Sequence, residues 1–293
     1  MLQLSEYNQM YTWHIAKKYS EKMAVYHGPY YCGFNKRYNL MAKIFDSFFI
    51  KRYRKLNTCF ITKSRLASSY LKSKGIRNVH TAGVGIDIEA LTSGNKEKIP
   101  FVEQVLKKQH FEHLLLYIGR IEPRRNPFFL LKILKEMKER GFHTGLILIG
   151  DGEEKYIRSF FKRAERMKIS DCIIYQDRLE QKYLCQVYPF ADAFLLPTMY
   201  DIFGMVLLEA MYFSLPVLTT LNGGSDMLIE DGINGFAFDT FEESRWCDRL
   251  CSILEDNRLK EQIGKQAYEK ICNRYTWDIL SRRFLQVYEG RVM

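Results

Sequence analysis

The sequence predicts an α/β protein built as two doubly wound domains, the first of them incomplete. Three observations carry that prediction. Short apolar runs alternate with helical patterns along most of the chain, as in a parallel sheet covered by helices on both faces. A polar, turn-rich segment, Thr92-Ser93-Gly94-Asn95-Lys96-Glu97-Lys98, interrupts the alternation and reads as a linker. The length of 293 residues, with 47% hydrophobic and 27% charged, exceeds what one compact core usually holds.

Residues 1–6 read as the tail of a strand already under way. The apolar run 23–26 ends at His27-Gly28-Pro29, so a buried strand emerges at a loop. A helix is expected over 40–56, where Met41, Ile44, Phe45, Phe48, Phe49 and Tyr53 recur at three and four, while Lys51, Arg52, Arg54 and Lys55 crowd its end. A strand follows over 59–62, then a helix that Ser64 caps and Gly75 ends. Beyond the linker the pattern predicts strands over 114–118, 144–149, 172–175, 193–196 and 216–219. Helices are predicted over 127–140, 153–167, about 181–190 and 204–213. No repeat of fixed period is present.

The apolar runs 190–197 and 205–212 are broken by Asp192, Pro197 or Glu209 well before the ~18 consecutive apolar residues of a spanning helix. Seven cysteines without a CxxC pair, and an N-terminus bearing acid and amide groups instead of a basic start, point to the cytoplasm. Residues 1–110 carry 19 Lys/Arg against 7 Asp/Glu, so the whole basic excess is N-terminal. That asymmetry calls for an anionic partner: a phosphate-bearing substrate, a membrane surface or nucleic acid. Nucleic acid is set aside because no zinc-finger spacing, RNP-type motif or helix-turn-helix signature accompanies the charge. The 40–56 helix is therefore open to two readings, contact with an anionic membrane at the inner face or plain core of the first domain with solvated lysines around it.

Three loops at predicted strand ends hold unusual chemistry. In Gly119-Arg120-Ile121-Glu122-Pro123-Arg124-Arg125-Asn126-Pro127, three guanidiniums crowd into six residues, which an anion such as a diphosphate would relieve; a solvated basic turn is the competing reading. Gly150-Asp151-Gly152 sits at a helix start, where Gly152 lets backbone approach a ligand or simply makes a tight turn. In the segment from Pro197 to Ala210, Asp201 leads into Phe203, Gly204, Met205 and Val206, whose amides at a helix start favour a phosphate. Glu209 follows in an apolar run and needs a partner if buried, such as a hydroxyl-rich ligand; a capping Asp and a solvated Glu are the plain alternative.

Taken together, in this order and spacing, these motifs resemble the family 4 glycosyltransferases of the GT-B fold, from about residue 84 to 288. Val84-Gly85-Ile86-Asp87 resembles the segment before the interdomain linker. Tyr117-Ile118-Gly119-Arg120 is similar to the first donor-domain strand and its phosphate-binding Arg. Asp201-x7-Glu209 corresponds to the Glu-x7-Glu signature, Asn222-Gly223-Gly224-Ser225-Asp226 and Asp231 to Phe236 to the loops after it, and Tyr275-Thr276-Trp277 to the start of a C-terminal helix. The resemblance implies two Rossmann-like domains, the N-terminal one incomplete: a partial acceptor-side domain over 1–91, a linker over 92–110, a nucleotide-sugar-binding domain over 111–274 and a returning helix over 275–293.

By that resemblance Arg120 and Arg125 hold the diphosphate of a nucleotide sugar and the amides after Phe203 meet its phosphates or sugar. Glu209 accepts from the ribose hydroxyls, Asp201 binds the transferred sugar, and His27 contacts that sugar from across the cleft. Transfer to a glycan or lipid-linked hydroxyl acceptor, with retention of configuration and no metal or other cofactor, is the implied reaction. Three positions depart from the family pattern: Asp201 is a carbon shorter than the usual Glu, Arg125 stands for Lys, and Asp226 for Glu. Because only residues 1–91 precede the linker, the reading expects a truncated frame or half of a split enzyme with a partner chain. The rival function is a non-catalytic nucleotide-sugar-binding subunit. A nucleotide-dependent dehydrogenase is disfavoured, since no strand leads into GxGxxG with an acid about 20 residues on.

Overall fold

A computed structural model describes residues 2–3, 6–31, 36–93, 98–107 and 111–290. They form two parallel sheets. The first has the order β1-β2-β3-β4, from Leu2–Gln3 (β1), Ala24–His27 (β2), Cys59–Thr62 (β3) and Val79–Thr81 (β4). Every residue of β2 is buried, as expected for a strand covered on both faces.

The helices around this sheet are Met10–Tyr19 (α1), Lys36–Phe45 (α2), Lys51–Tyr53 (α3) and Arg65–Ser73 (α4). A π-helical turn over Asp46–Ile50 fuses α2 to α3, so the helix expected over 40–56 starts four residues earlier and changes register midway. Asp46, in that turn, accepts the Tyr7 hydroxyl at 2.8 Å and pairs with Lys74. Trp13, Phe45, Tyr53 and Phe60 pack with Tyr7 in a separate small core. Ser64 caps α4 by accepting from the Ala67 amide, and Gly75 closes it at φ +79°.

Ile88–Thr92 (α5) precedes the second unit. The expected linker over 92–110 is partly helical, because Pro100–Lys107 (α6) opens on a proline and buries Phe101, Val102 and Val105; residues 94–97 and 108–110 lie outside the described residues.

The second sheet runs β10-β9-β8-β5-β6-β7, all parallel. Its strands are His113–Ile118 (β5), Thr144–Ile149 (β6), Ile173–Gln176 (β7), Ala193–Leu196 (β8), Val217–Thr220 (β9) and Phe236–Phe238 (β10). Phe128–Glu139 (α7), Glu154–Arg166 (α8), Gln181–Leu184 (α9), Met205–Tyr212 (α10) and Gly223–Leu228 (α11) connect them. The single helix expected over about 181–190 is split into α9 and a 3₁₀ turn at Tyr188–Phe190, where Pro189 has no amide to continue the ladder.

After Glu243–Glu255 (α12) and Asn257–Arg274 (α13), the chain returns to the first sheet through Trp277–Tyr288 (α14). There the Arg283 guanidinium donates to the Ala82 carbonyl at 2.7 Å, the Phe284 ring lies 5.1 Å from Tyr26, and the Tyr288 hydroxyl donates to the Lys22 carbonyl at 3.0 Å.

Candidate active site at the switch point

β5 and β8 are neighbours although two strands separate them in sequence, so sheet growth reverses between them. Ligands of open parallel sheets bind outside the strand ends at such a reversal. The loops that leave β5 and β8 are the Arg-rich loop and the Asp201 loop of the sequence analysis, and the fold sets them side by side. The Met199 amide donates to the Arg124 carbonyl at 2.9 Å, and the Arg124 guanidinium donates to the Tyr200 carbonyl at 2.9 Å while pairing with Glu122 at 2.8 Å. Asn126, in left-handed backbone at φ 51°, turns this loop into α7.

Arg125 and Asp201 form a close ion pair between the two loops. The Arg125 Nε–H is buried without an acceptor among the described residues. A buried donor left unsatisfied costs about 1–3 kcal/mol, so this one is suited to an arriving acceptor. Arg120 is different: its side chain is 64% exposed and only loosely paired with Asp151, at 3.6 Å. Three arginines of one loop thus have three states: one fastened, one half-answered and one reaching into solvent.

Glycine at 150 and 152 has a backbone reason. A Cβ at Gly150 would stand 1.9 Å from the Gly119 carbonyl oxygen, and one at Gly152 2.3 Å from that of Ile121. Gly152 therefore admits the neighbouring loop, a backbone reason for glycine there beside the expected approach to a ligand.

α10 begins at Gly204, in left-handed backbone at φ 73° and without a side-chain cap, so the first-turn amides around Met205 and Val206 carry no capping side chain. Phe203 is buried beside them. Asp201 also borders this helix start, since a Cβ at Gly204 would lie 3.4 Å from its Oδ2. Glu209, one turn further, is 3% exposed. The partner its burial requires comes from the protein: Gln181 donates to Oε1 at 2.7 Å and the Tyr188 hydroxyl to Oε2 at 2.8 Å. Burial raises its pKa and these two hydrogen bonds oppose the rise.

His27 closes β2 and is 0% exposed, between the rings of Tyr7 (5.6 Å) and Tyr70 (6.5 Å). Neither ring nitrogen makes a hydrogen bond of good geometry among the described residues, although the Pro29 carbonyl lies close enough to favour the charged ring. Burial holds its pKa down to about 3; the Pro29 carbonyl works against this, and nearby Lys63 adds to it. The next residue, Gly28, lies against the Asp201 loop, for a Cβ there would stand 2.6 Å from Ile202 Cγ2. Arg125, Asp201 and the start of α10 at Gly204 therefore lie together at the switch point, with Arg120 on the same loop as Arg125 and His27 one residue before the Gly28 contact. Glu209, within α10, is held by Gln181 and Tyr188.

Tyr30 is a site residue that pattern reading missed. Its hydroxyl donates to the Asp201 carbonyl at 2.9 Å and accepts from the Gly223 amide at 3.1 Å, tying the first unit to the second. The only sequence cue is its place after the Gly28-Pro29 turn at a strand end. Gln181 and Tyr188 were equally silent, being separated from Glu209 by 28 and 21 residues. Among the described residues no three His, Cys, Asp or Glu side chains converge to hold a metal ion, and no described helix is long and apolar enough to cross a membrane.

The family model described as glycosyl transferases group 1 matches residues 98–270. Among curated proteins, the chain is 25% identical over 213 residues to D-inositol 3-phosphate glycosyltransferase of Corynebacterium diphtheriae, covering 71% of this chain and 50% of that protein. It is 24% identical over 188 residues to spore coat protein SA of Bacillus subtilis, covering 61% and 49%. The chain thus spans about half the length of these two relatives and no more than half of other curated relatives it matches. Among solved structures, sucrose-phosphate synthase of Thermosynechococcus elongatus superposes with a TM-score of 0.76 at 16% identity, over 95% of this chain and 70% of that one. HepE of Anabaena, in complex with UDP-glucose, superposes at 0.73 and 17% identity, over 92% and 72%.

Proposed function

The chain belongs to the glycosyl transferases group 1 family and has the GT-B fold, and from that premise we propose that it moves a sugar from a nucleotide-diphosphate sugar to a hydroxyl acceptor on a glycan or lipid-linked saccharide, with retention of configuration. The observation that carries the proposal is the Arg125 guanidinium, fixed by Asp201 at the switch point with Nε unanswered, beside the uncapped start of α10. Both features favour an anion.

In this reading Arg120 and Arg125 hold the diphosphate and stabilise it as it leaves, with the first-turn amides of α10 adding their partial charge. The leaving phosphate oxygen takes the acceptor's proton on the face from which the bond breaks. Asp201 accepts from hydroxyls of the transferred sugar. His27, neutral at pH 7, contacts that sugar only if the side chains that bury its ring move aside when the donor binds, and it then acts in positioning, not as a base. Glu209 serves the ribose by exchanging the Gln181 bond for a ribose hydroxyl.

Calorimetry with a panel of nucleotide sugars, starting from the UDP-glucose that HepE binds, tests the donor half. Product anomers identified by NMR test retention, and turnover is expected to persist in EDTA because guanidiniums carry the cation's role. A second reading, donor binding with no transfer unless a partner chain completes the acceptor side, is favoured by the match to about half of the two curated relatives named above. Donor binding without turnover would select it; no donor binding would sink both.

A further inference from the structure

We propose that the outer face of the α2 to α3 helix seats the protein on an anionic lipid bilayer, an inference that does not depend on the reaction assigned above. The helix divides its apolar residues between two faces. Phe45, Ile50 and Tyr53 turn inward and are buried, with the Trp13 ring 5.3 Å from Phe49 and 5.2 Å from Tyr53. That removes these aromatics from any lipid contact and makes them core. Leu40, Met41, Ile44 and Phe48 remain outside, 58%, 62%, 46% and 69% exposed. At 3.6 residues per turn Leu40, Met41 and Ile44 fall within an arc of roughly 100°, and exposed Phe48 follows them in the π-helical turn, extending an apolar stripe.

The charge around the stripe selects the occupant. Residues 36–55 contain seven Lys/Arg and one acid, Asp46, which is already taken by Tyr7 and Lys74. Lys43, Lys51, Arg52 and Lys55 are exposed, and just past the helix an open depression of 590 Å³ is lined by Arg54, Lys72, Gly75, Ile76 and Arg77, three cations and no acid. The neighbouring α1 repeats the composition, with Met10 and Tyr11 exposed at one end and Lys17 and Lys18 at the other. A protein partner for such a stripe would have to bring carboxylates against a row of leucine-like side chains. An anionic bilayer offers both chemistries at fixed depths, acyl chains for Ile44 and Phe48 and headgroup phosphates for the cations.

The test is vesicle co-sedimentation of the whole chain, with phosphatidylglycerol-containing and pure phosphatidylcholine vesicles. Two variants carry it, Ile44→Ser with Phe48→Ser, and Lys51→Gln with Arg52→Gln and Lys55→Gln; all five positions are exposed, so melting curves should match the wild type. Lys155→Gln with Lys162→Gln on α8 removes two charges elsewhere. Wild type and the α8 variant are expected to sediment with the anionic vesicles only. The triple charge variant should lose partitioning into the anionic vesicles on the order of a hundred-fold, and the serine variant, with its cations intact, should lose it there as well. Equal sedimentation of all proteins, binding that ignores lipid charge, or a wild-type dimer that Phe48→Ser dissociates without any lipid binding would each overturn the proposal.

Discussion

Arg125 has two duties at one atom group, and they separate in mutants. Arg125→Ala removes the contact proposed for the diphosphate and also strands the nearly buried Asp201 carboxylate. It should weaken nucleotide-sugar binding by about 1.5–3 kcal/mol and lower the melting temperature, since a partly buried charge without its partner is costly. Arg120→Ala, at an exposed and loosely paired side chain, should cost a similar amount of binding with an unchanged melting curve. Calorimetry beside thermal denaturation reads both, and unchanged affinity in both variants would mean that the crevice is misassigned. His27 gives a separate signature in pH. Its folded pKa, about 3, lies below the ~6.5 of an unfolded imidazole, so the unfolded chain takes up the proton first. The stabilisation is complete above pH 6.5 and is lost as pH falls toward 3, amounting to roughly 2 kcal/mol between pH 6.5 and 4.5. His27→Phe should flatten that part of the stability profile; an unaltered slope would place the pH dependence on other groups.

At the scale of elements, the crevice depends on loops in backbone contact. A Cβ on Gly224 would stand 1.6 Å from the Phe203 carbonyl oxygen, whereas one on Gly232 would meet nothing within 4 Å. Gly224→Ala should therefore displace the loop that starts α10 and cost on the order of 3 kcal/mol, with donor binding falling in parallel. Gly232→Ala, strained only by its positive φ, should cost about 1 kcal/mol and leave binding alone. Comparative urea denaturation and calorimetry of the two variants decide this. The Asn-Gly-Gly run was visible in the sequence, but its reason was not, because the clash is with a residue 21 positions earlier. The same limit applies elsewhere. Strands such as Thr144–Ile149, a continuous apolar run, and the Ser64 cap were legible because their signals are local. The strand order that makes β5 and β8 neighbours was not. Nor did the pattern predict elements over 243–274, where α12 and α13 have mixed surfaces: Trp246 and Cys247 are buried among arginines and acids. The site was legible to the extent that its chemistry lies in contiguous loops, as with Arg120, Arg125 and Asp201. It was hidden where partners come from afar, as with Tyr30, Gln181 and Tyr188.

Across the whole molecule the two sheets are joined at two places of unlike character. On the α14 side the joint combines the Arg283 to Ala82 bond, the Tyr26 and Phe284 rings and a backbone bridge between Ile86 and Thr276. On the crevice side it consists chiefly of Tyr30, whose hydroxyl holds Asp201 and Gly223, with Asp226 accepting from the Leu66 amide at 3.2 Å and from a largely exposed Arg65 at 3.2 Å. The first joint, with its apolar packing and backbone pairing, is suited to serve as a hinge, and the second is a clasp of a few polar contacts. Tyr30→Phe deletes two hydrogen bonds of the clasp and leaves the hinge intact. At about 0.5–1.5 kcal/mol each, the loss comes to about 2 kcal/mol, enough to shift an open-to-closed ratio roughly thirty-fold. The donor-free variant should therefore show a larger radius of gyration by small-angle scattering than the wild type, and saturating nucleotide sugar should restore the compact form if the donor bridges Arg125 and the His27 side of the crevice. Its donor affinity should fall by the same factor, because binding must then close the cleft at the ligand's expense. A radius unchanged by the substitution would show that the α14 joint alone fixes the domains, and an enlarged radius that donor fails to reverse would place the nucleotide on the second domain only.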